Sequence, residues 1–178
     1  VSLFFNLNNQ LTQDKAFRHA LAFGVPDLHA ERAVSPIAKT SWAYTDKVKR
    51  YDPDLAQAKK LLSAAKIASE SATLALTTFS QYVDVAQSIA DSWTSLGVPT
   101  NVKVVSSLPP DYQVLLSAQE VPPDPDQYPF WHSTQTQTNI TGFVNVKIDK
   151  LLEDARQEID TESRKKIYAD FQRRLVEE

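Results

Sequence analysis

The residues with the clearest potential for chemistry lie in one proline-rich segment, PPDPDQYPFWHSTQTQTN, at residues 122–139. Asp124 and Asp126 flank Pro125, and His132 follows in the same segment. The two carboxylates could act as an acid–base pair or as calcium ligands, and together with the imidazole they could serve a hydrolase. Aspartates in proline-rich loops also cap turns, because their carboxylates accept hydrogen bonds from nearby backbone N–H groups. We favour turn capping, and the hydrolase stays open as an alternative.

The rest of the sequence offers few reactive groups. With no Cys in 178 residues, disulfides, thiolate chemistry and zinc–thiolate sites are excluded. The three histidines lack the spacing of a metal-binding helix, and no Ser lies in a G-x-S-x-G turn, although a triad could still assemble in space. The three glycines cannot build a phosphate-binding loop. The sequence therefore predicts no metal, no cofactor and no enzyme activity.

The overall composition argues against two classes of partner. The net charge is −3 and the basic runs are short, which argues against a nucleic-acid-binding surface. No apolar run approaches the ~20 residues that a membrane-spanning helix needs. With 42% hydrophobic residues and no free linker, residues 1–178 are predicted to form a single domain with its own core.

The periodicity of the apolar residues predicts a strand–helix–strand unit in the middle of the chain. The segments ATLALTTF (72–79) and TNVKVVS (100–106) have the composition and alternation of strands, and the segment 81–97 between them is an amphipathic helix. The buried face of this helix should include Val85, Ile89 and Trp93. A helix of this length between two strands predicts that the strands are parallel.

Other patterns predict further elements of an α/β fold. They are a strand at 2–8, a helix at 12–24, a helix that begins at an Asp52 N-cap, a short helix at 112–119, and two helices that meet at Asp160. Residues 27–51 have no regular period and are predicted to be mostly loop with short helical turns.

Five stretches, taken in order, resemble the family 5 extracellular solute-binding proteins, which are the oligopeptide, dipeptide and nickel receptors of ABC importers. The stretches are FFNLNNQLTQDKAFRHALAFGVPD, YDPDLAQAKKLLSAA, AQSIADSWTSLGVPTNVKVV, PDPDQYPFWHSTQ and IDKLLEDARQEIDTESRKKIYADFQRRLVEE. Each is weak by itself, but their order and spacing cover nearly the whole chain.

The resemblance implies a fold and a setting. It implies a periplasmic-binding-protein-like (type II) lobe, with a mixed sheet and helices on both faces. The chain, which starts at Val1 and has no Met, would be the C-terminal ligand-binding lobe excised from a larger two-lobed receptor. The expected partners are a peptide or other small solute, an N-terminal lobe of the same protein, and an ABC permease. The expected location is periplasmic or extracellular, with any membrane attachment, such as a lipid anchor, through a missing N-terminal segment.

The resemblance also implies that the proline-rich segment lies along the ligand cleft. Tyr128, Trp131 and His132 would then form a partly exposed aromatic platform, with Ser133 and Gln135 as adjustable hydrogen-bonding groups. For Trp131 the alternative is a core residue beneath the loop.

One position departs from the family pattern. Peptide receptors have an Asp in this segment that binds the free α-ammonium of the peptide, and the corresponding residue here is Val121. Either the neighbouring Glu120 takes its place, or the ligand presents no free amine there. We favour the second, because successive residues of an extended segment point to opposite sides.

Three hypotheses for function follow. The first is a ligand-binding module of a transport receptor, which the resemblance favours. The second is a hydrolase that uses Asp124, Asp126 and His132. The third is an interaction domain with no small ligand.

Overall fold

The computed structural model of the protein describes residues 1–65, 73–120 and 124–178. Within them, Val1–Ala30 and Tyr51–Gln119 form one compact unit, and Glu31–Arg50 and Glu120–Glu178 form another. No shift in composition marks this division in the sequence. The first unit carries the sheet, and the second carries the proline-rich segment and the C-terminal helices.

A four-stranded mixed sheet forms the centre of the first unit, in the order β1-β4-β2-β3. The strands are β1 (Ser2–Phe5), β2 (Leu74–Thr78), β3 (Thr100–Val104) and β4 (Val114–Ser117). The predicted parallel pairing of β2 with β3 is confirmed, with Leu76 opposite Val102. Strand β4 runs parallel to β2 and antiparallel to β1.

The prediction of a short helix at 112–119 is wrong, because this stretch contains strand β4. Its residues Val114, Leu115 and Leu116 are all almost fully buried. A strand between two others is covered on both faces, so it shows a continuous apolar run instead of alternation. Periodicity cannot distinguish such a run from a buried helical turn.

Three helices pack with one face of the sheet. They are α1 (Lys15–Phe23), α2 (Leu55–Ala64) and α3 (Val83–Ser95), and a short 3₁₀ turn at Ser80–Tyr82 precedes α3. The core between them contains Leu74, Leu76, Val114 and Leu116 from the strands and Leu21, Ile89 and Trp93 from the helices. The prediction that α3 buries Ile89 and Trp93 is confirmed, and Val85 packs at the edge of the same core.

The opposite face of the sheet is buried as well. Phe4, Thr77 and Leu115 point to that side, since they alternate with the core residues along β1, β2 and β4, and each is less than one-tenth exposed. The sheet is therefore an interior layer, as expected for an α/β fold.

Helix α2 begins two residues later than predicted. Its N-cap is Asp54, whose side chain accepts a hydrogen bond from the Gln57 N–H at 2.9 Å. Asp52 and Pro53 precede the helix. Either aspartate satisfies the sequence preference for an N-cap, and the geometry selects the one whose carboxylate reaches the third helical N–H.

The second unit contains three helices and a long loop. The helices are α4 (Tyr128–Trp131), α5 (Val146–Gln157) and α6 (Thr161–Glu177). Asp160 caps α6, as predicted, by accepting a hydrogen bond from Ser163 N–H at 2.8 Å. The buried apolar residues of this unit include Ile148, Leu152, Ala155, Tyr168 and Phe171.

The loop predicted for this region is confirmed at 31–50, where the short helical turns are replaced by simple turns at residues 39–40 and 42–43. Hydrogen bonds from the side chain of Gln172 in α6, instead of backbone pairing, hold this loop. The Gln172 amide donates to the Ala43 carbonyl at 2.8 Å, and its Oε1 accepts from the Ser35 hydroxyl and the Thr45 N–H. None of the helices in the described residues is long and apolar enough to span a membrane.

Candidate functional site

The candidate site is the segment 124–143, called here the site loop, and its course begins with two aspartate-capped turns. Asp124 Oδ1 accepts the N–H of Asp126 at 2.9 Å, and Asp126 Oδ1 accepts the N–H of Tyr128 at 3.0 Å. The turn-capping interpretation of both aspartates is therefore confirmed. The remaining oxygen of Asp126 accepts two hydrogen bonds from Arg156, at 2.9 and 2.6 Å.

Tyr128 lies between two groups of the protein itself. The His132 ring stacks on it with centroids 4.0 Å apart and an angle of 21° between the planes. The Arg156 guanidinium lies 3.9 Å from the centre of the same ring. Two groups so close to one ring centre cannot share a face, so both faces of Tyr128 are covered. The hydrogen bonds to Asp126 hold this cation over the ring, and the same contact raises the pKa of Arg156.

His132 is buried, which differs from the partly exposed platform expected from the sequence. Its Nδ1 accepts the backbone N–H of Thr134 at 3.2 Å and lies 2.9 Å from the Thr134 hydroxyl. Its Nε2 lies 3.4 Å from Glu153 Oε1. Because a backbone N–H can only donate, Nδ1 is the acceptor nitrogen and Nε2 carries the proton. Both nitrogens of His132 are therefore engaged within the protein.

Ser133 is fixed by Asp149 of helix α5. The Asp149 carboxylate accepts the Ser133 N–H at 2.9 Å through one oxygen and the Ser133 hydroxyl at 2.7 Å through the other. Gln135 Nε2 donates to the Thr134 hydroxyl oxygen at 3.3 Å. Ser133 and Gln135 are both half-buried, so each keeps part of its side chain accessible.

Trp131 is half-buried. Its burial is intermediate between the two alternatives from the sequence, a partly exposed platform and a core residue. Its indole N–H donates to Gln127 Oε1 at 3.3 Å, and its ring contacts the edge of Phe143 at a centroid distance of 6.2 Å. One part of the ring packs in the protein and another part remains exposed. This placement is compatible with a contact to a ligand.

Asn139 closes the site loop from within. Its buried amide nitrogen donates to the Phe143 carbonyl at 2.8 Å and to the His132 carbonyl at 3.4 Å. Its Oδ1 accepts the Thr141 hydroxyl at 2.9 Å. Asn139 therefore fixes the structure of the loop, and its amide nitrogen faces inward.

Glu120 lies apart from these contacts and is exposed. Val121, the position where peptide receptors have an ammonium-binding Asp, lies outside the described residues.

The sequence interpretation missed the residues of α5 that hold the site loop. Asp149, Glu153 and Arg156 contact Ser133, His132 and Tyr128, respectively. These three residues, called here the α5 face, recur at helical spacing, so they lie on one side of the helix. A charged stripe beside the apolar stripe of α5 was the available signal. Among residues 1–65, 73–120 and 124–178, no cluster of three or more His, Asp and Glu side chains could hold a metal ion.

The mixed sheet with its parallel β2–β3 pair and flanking helices is the architecture of periplasmic-binding-protein-like structures. The sequence profile of the bacterial extracellular solute-binding proteins, family 5 Middle, matches residues 1–140. The chain therefore belongs to family 5 of the bacterial extracellular solute-binding proteins. A comparison with curated protein sequences gives no match.

Solved structures share this fold across nearly the whole chain. The oligopeptide-binding protein AppA from Bacillus subtilis, in complex with a nonapeptide, superimposes with a TM-score of 0.88 at 21% identity, over 98% of this chain and 42% of AppA. The ABC transporter substrate-binding protein CtaP from Listeria monocytogenes gives 0.90 at 23% identity, over 98% of this chain and 41% of CtaP.

A nickel-binding relative is similar to the same degree. NikZ from Campylobacter jejuni, in complex with Ni(L-His), gives a TM-score of 0.84 at 23% identity, over 98% of this chain and 42% of NikZ. The chain thus spans about two-fifths of the length of these three structures. At such identities the similarity establishes the fold.

Proposed function

We propose that the chain is the C-terminal ligand-binding lobe of a transport receptor that binds a peptide or a similar small solute. The observation that carries this proposal is the match of 98% of the chain to AppA, which holds a nonapeptide. Because the chain spans 42% of AppA, a second, N-terminal lobe of the same protein would close on the ligand. The receptor would deliver its ligand to an ABC permease from a periplasmic or extracellular location.

The site loop is the proposed ligand-contacting segment. Trp131, Ser133, Gln135 and Glu120 each have an accessible side chain that could contact the ligand directly. His132 would act from beneath, since both of its nitrogens are engaged within the protein, and Tyr128, whose ring faces are covered, would meet a ligand through its hydroxyl. A ligand would therefore meet the edge of an ordered loop.

The hydrolase alternative has no observation in its favour. Asp124 and Asp126 cap turns and face Arg164 and Arg156, respectively. Each carboxylate is thus engaged within the protein by a backbone N–H and an arginine. His132 is buried and contacts Glu153, and neither aspartate is bonded to it.

The first experiment identifies the ligand on the full-length receptor. Native mass spectrometry of the purified receptor should detect a copurified peptide or small solute. Trp131→Ala should weaken its affinity about tenfold or more in calorimetry, since buried aromatic contacts dominate many binding sites. Trp42→Ala is the control, because Trp42 lies outside the site loop. Turnover of peptides that is lost in Asp124→Asn or His132→Gln would instead establish the hydrolase.

A second experiment concerns the isolated chain. Ligand pockets bury most of the ligand surface, so one lobe alone forfeits much of the contact. Residues 1–178 should therefore bind the same ligand far more weakly than the full-length receptor. Micromolar or tighter binding to the isolated chain would overturn the two-lobe proposal.

A further inference from the structure

We infer that the site loop presents hydrogen-bond acceptors to its ligand through two hydroxyl groups, those of Ser133 and Tyr128, and that Asp149 sets this polarity at Ser133. The inference deepens the proposed function, on which it rests, by naming the chemistry of the ligand group. The preferred group is a hydrogen-bond donor, such as an amide N–H, a hydroxyl or an ammonium.

The polarity follows from where each hydroxyl proton goes. The Ser133 proton is directed to the Asp149 carboxylate at 2.7 Å, and a carboxylate can only accept. The Thr134 proton is directed to Nδ1 of His132 at 2.9 Å, since the Thr134 N–H already identifies that nitrogen as an acceptor. The Ser133 oxygen therefore keeps only lone pairs for a further partner.

The same direction extends to Tyr128. Its hydroxyl lies 3.4 Å from the Thr134 oxygen, which has no proton left to give, so the Tyr128 hydroxyl is the donor of this pair. Gln135 Nε2 also donates to the Thr134 oxygen. The chain of donors ends at Nε2 of His132, which donates to the Glu153 carboxylate. The carboxylates of Asp149 and Glu153 on the α5 face are thus the final acceptors, and the protons of these hydrogen bonds point toward α5.

The accessibility of these oxygens makes the polarity relevant to a ligand. Ser133 and Tyr128 are half-buried, whereas both lone pairs of the Thr134 oxygen already accept hydrogen bonds from Tyr128 and Gln135. A ligand acceptor at this surface would face lone pairs with no proton between them. A ligand donor would complete hydrogen bonds that the protein leaves open. The difference is about three- to tenfold in affinity for one such bond.

The test uses the full-length receptor and a neutral probe pair. Pools of tri- to pentapeptides carry, at one position, either glutamine or glutamic acid γ-methyl ester, so that an amide donor is replaced by an ester acceptor of similar shape. Competition binding read by mass spectrometry gives the affinity ratio for each position. At one position the wild-type receptor should prefer glutamine about three- to tenfold.

Asp149→Asn should abolish this preference. The new amide nitrogen can donate to the Ser133 oxygen, which frees the hydroxyl proton to face the ligand. The matched control is Asp154→Asn on the same helix, because it makes the same charge change at a residue that pairs with Lys150 and not with the loop. Ser133→Ala should also lower the preference, and circular dichroism of each variant checks its folding.

The outcomes separate this inference from the proposed function. If no peptide binds the wild-type receptor, the peptide-binding proposal fails, and the polarity is tested alone by ¹⁵N NMR of His132 at mildly alkaline pH. A proton on Nδ1 in that spectrum would overturn the inference, and a proton on Nε2 would support it. If peptides bind, an absent preference, or a preference unchanged in Asp149→Asn, would overturn it.

Discussion

Replacement of Gln172 by Leu should release the loop at 31–50 while leaving the sheet unit intact. Gln172 is fully buried and bonds the Ala43 carbonyl, the Thr45 N–H and the Ser35 hydroxyl. Leu has a similar volume, so the variant removes these hydrogen bonds with little change in packing. The Ser35 hydroxyl can turn to water, whereas the two backbone groups lose their partner.

The magnitude follows from those two groups. A buried backbone group without a partner costs about 1–3 kcal/mol, and the apolar Leu side chain returns part of that sum. The free energy of unfolding of Gln172→Leu should therefore be lower than that of the wild type by about 2–4 kcal/mol. The assay is native-state hydrogen exchange by NMR, in which the Thr45 amide should lose its protection, because Gln172 Oε1 is the acceptor that protects it.

The control is Gln87→Leu, at an exposed residue of α3 whose amide bonds Asp91 at 2.7 Å. That variant should change stability by less than about 0.5 kcal/mol and leave Thr45 protected. A Thr45 amide that remains protected in Gln172→Leu would refute the reasoning that side-chain bonding orders the loop.

Three further predictions concern the helices and one buried phenol. Trp93→Phe should lower the free energy of unfolding by about 2–4 kcal/mol in urea denaturation, because it removes the donor to the Leu21 carbonyl at 2.9 Å and leaves a gap in the core. The hydrogen bond from the Ser163 N–H lowers the pKa of Asp160 from 3.8. The stabilisation by this charged cap is therefore present above about pH 3.8, and it is lost as the pH falls through the lower pKa of the folded state. The melting temperatures of wild type and Asp160→Ala should therefore differ at neutral pH and converge in acid, and equal values at neutral pH would contradict this. Burial raises the pKa of Tyr112 from 10.0 to about 12, so an ultraviolet titration should show one phenol that ionises near pH 12, and stability should fall as the pH rises above 10.

Much of the first unit could be predicted because its elements carry their own local signals. Helix α3 has a complete apolar face, and the strands on either side have β-branched composition or alternation. Strand β4 could not be predicted from period, because it is buried on both faces between β1 and β2. Its identity as a strand depends on pairing with β1 and β2, which are distant in sequence.

The site loop likewise has some features that the local sequence predicts and others that depend on distant residues. The turns at Asp124 and Asp126 depend on residues two positions away, and the sequence sufficed for them. The covering of Tyr128 by Arg156 joins residues that are far apart in the chain. Exposure was therefore overestimated for His132, since its burial depends on a helix that follows the loop.

Under the proposed function, different residues of the site loop determine its shape and its ligand specificity. The loop has one short helix, and its course depends on its own capping side chains together with the α5 face. Substitution of Arg156 or Asn139 should therefore change the order of the whole loop, because each joins positions that the backbone alone does not connect. Trp131 and Gln135 each make few contacts and remain partly accessible, so their substitution should alter ligand preference with little effect on stability. Under the proposed function, substitutions at the accessible positions can therefore change the ligand while the α5 face keeps the loop in place.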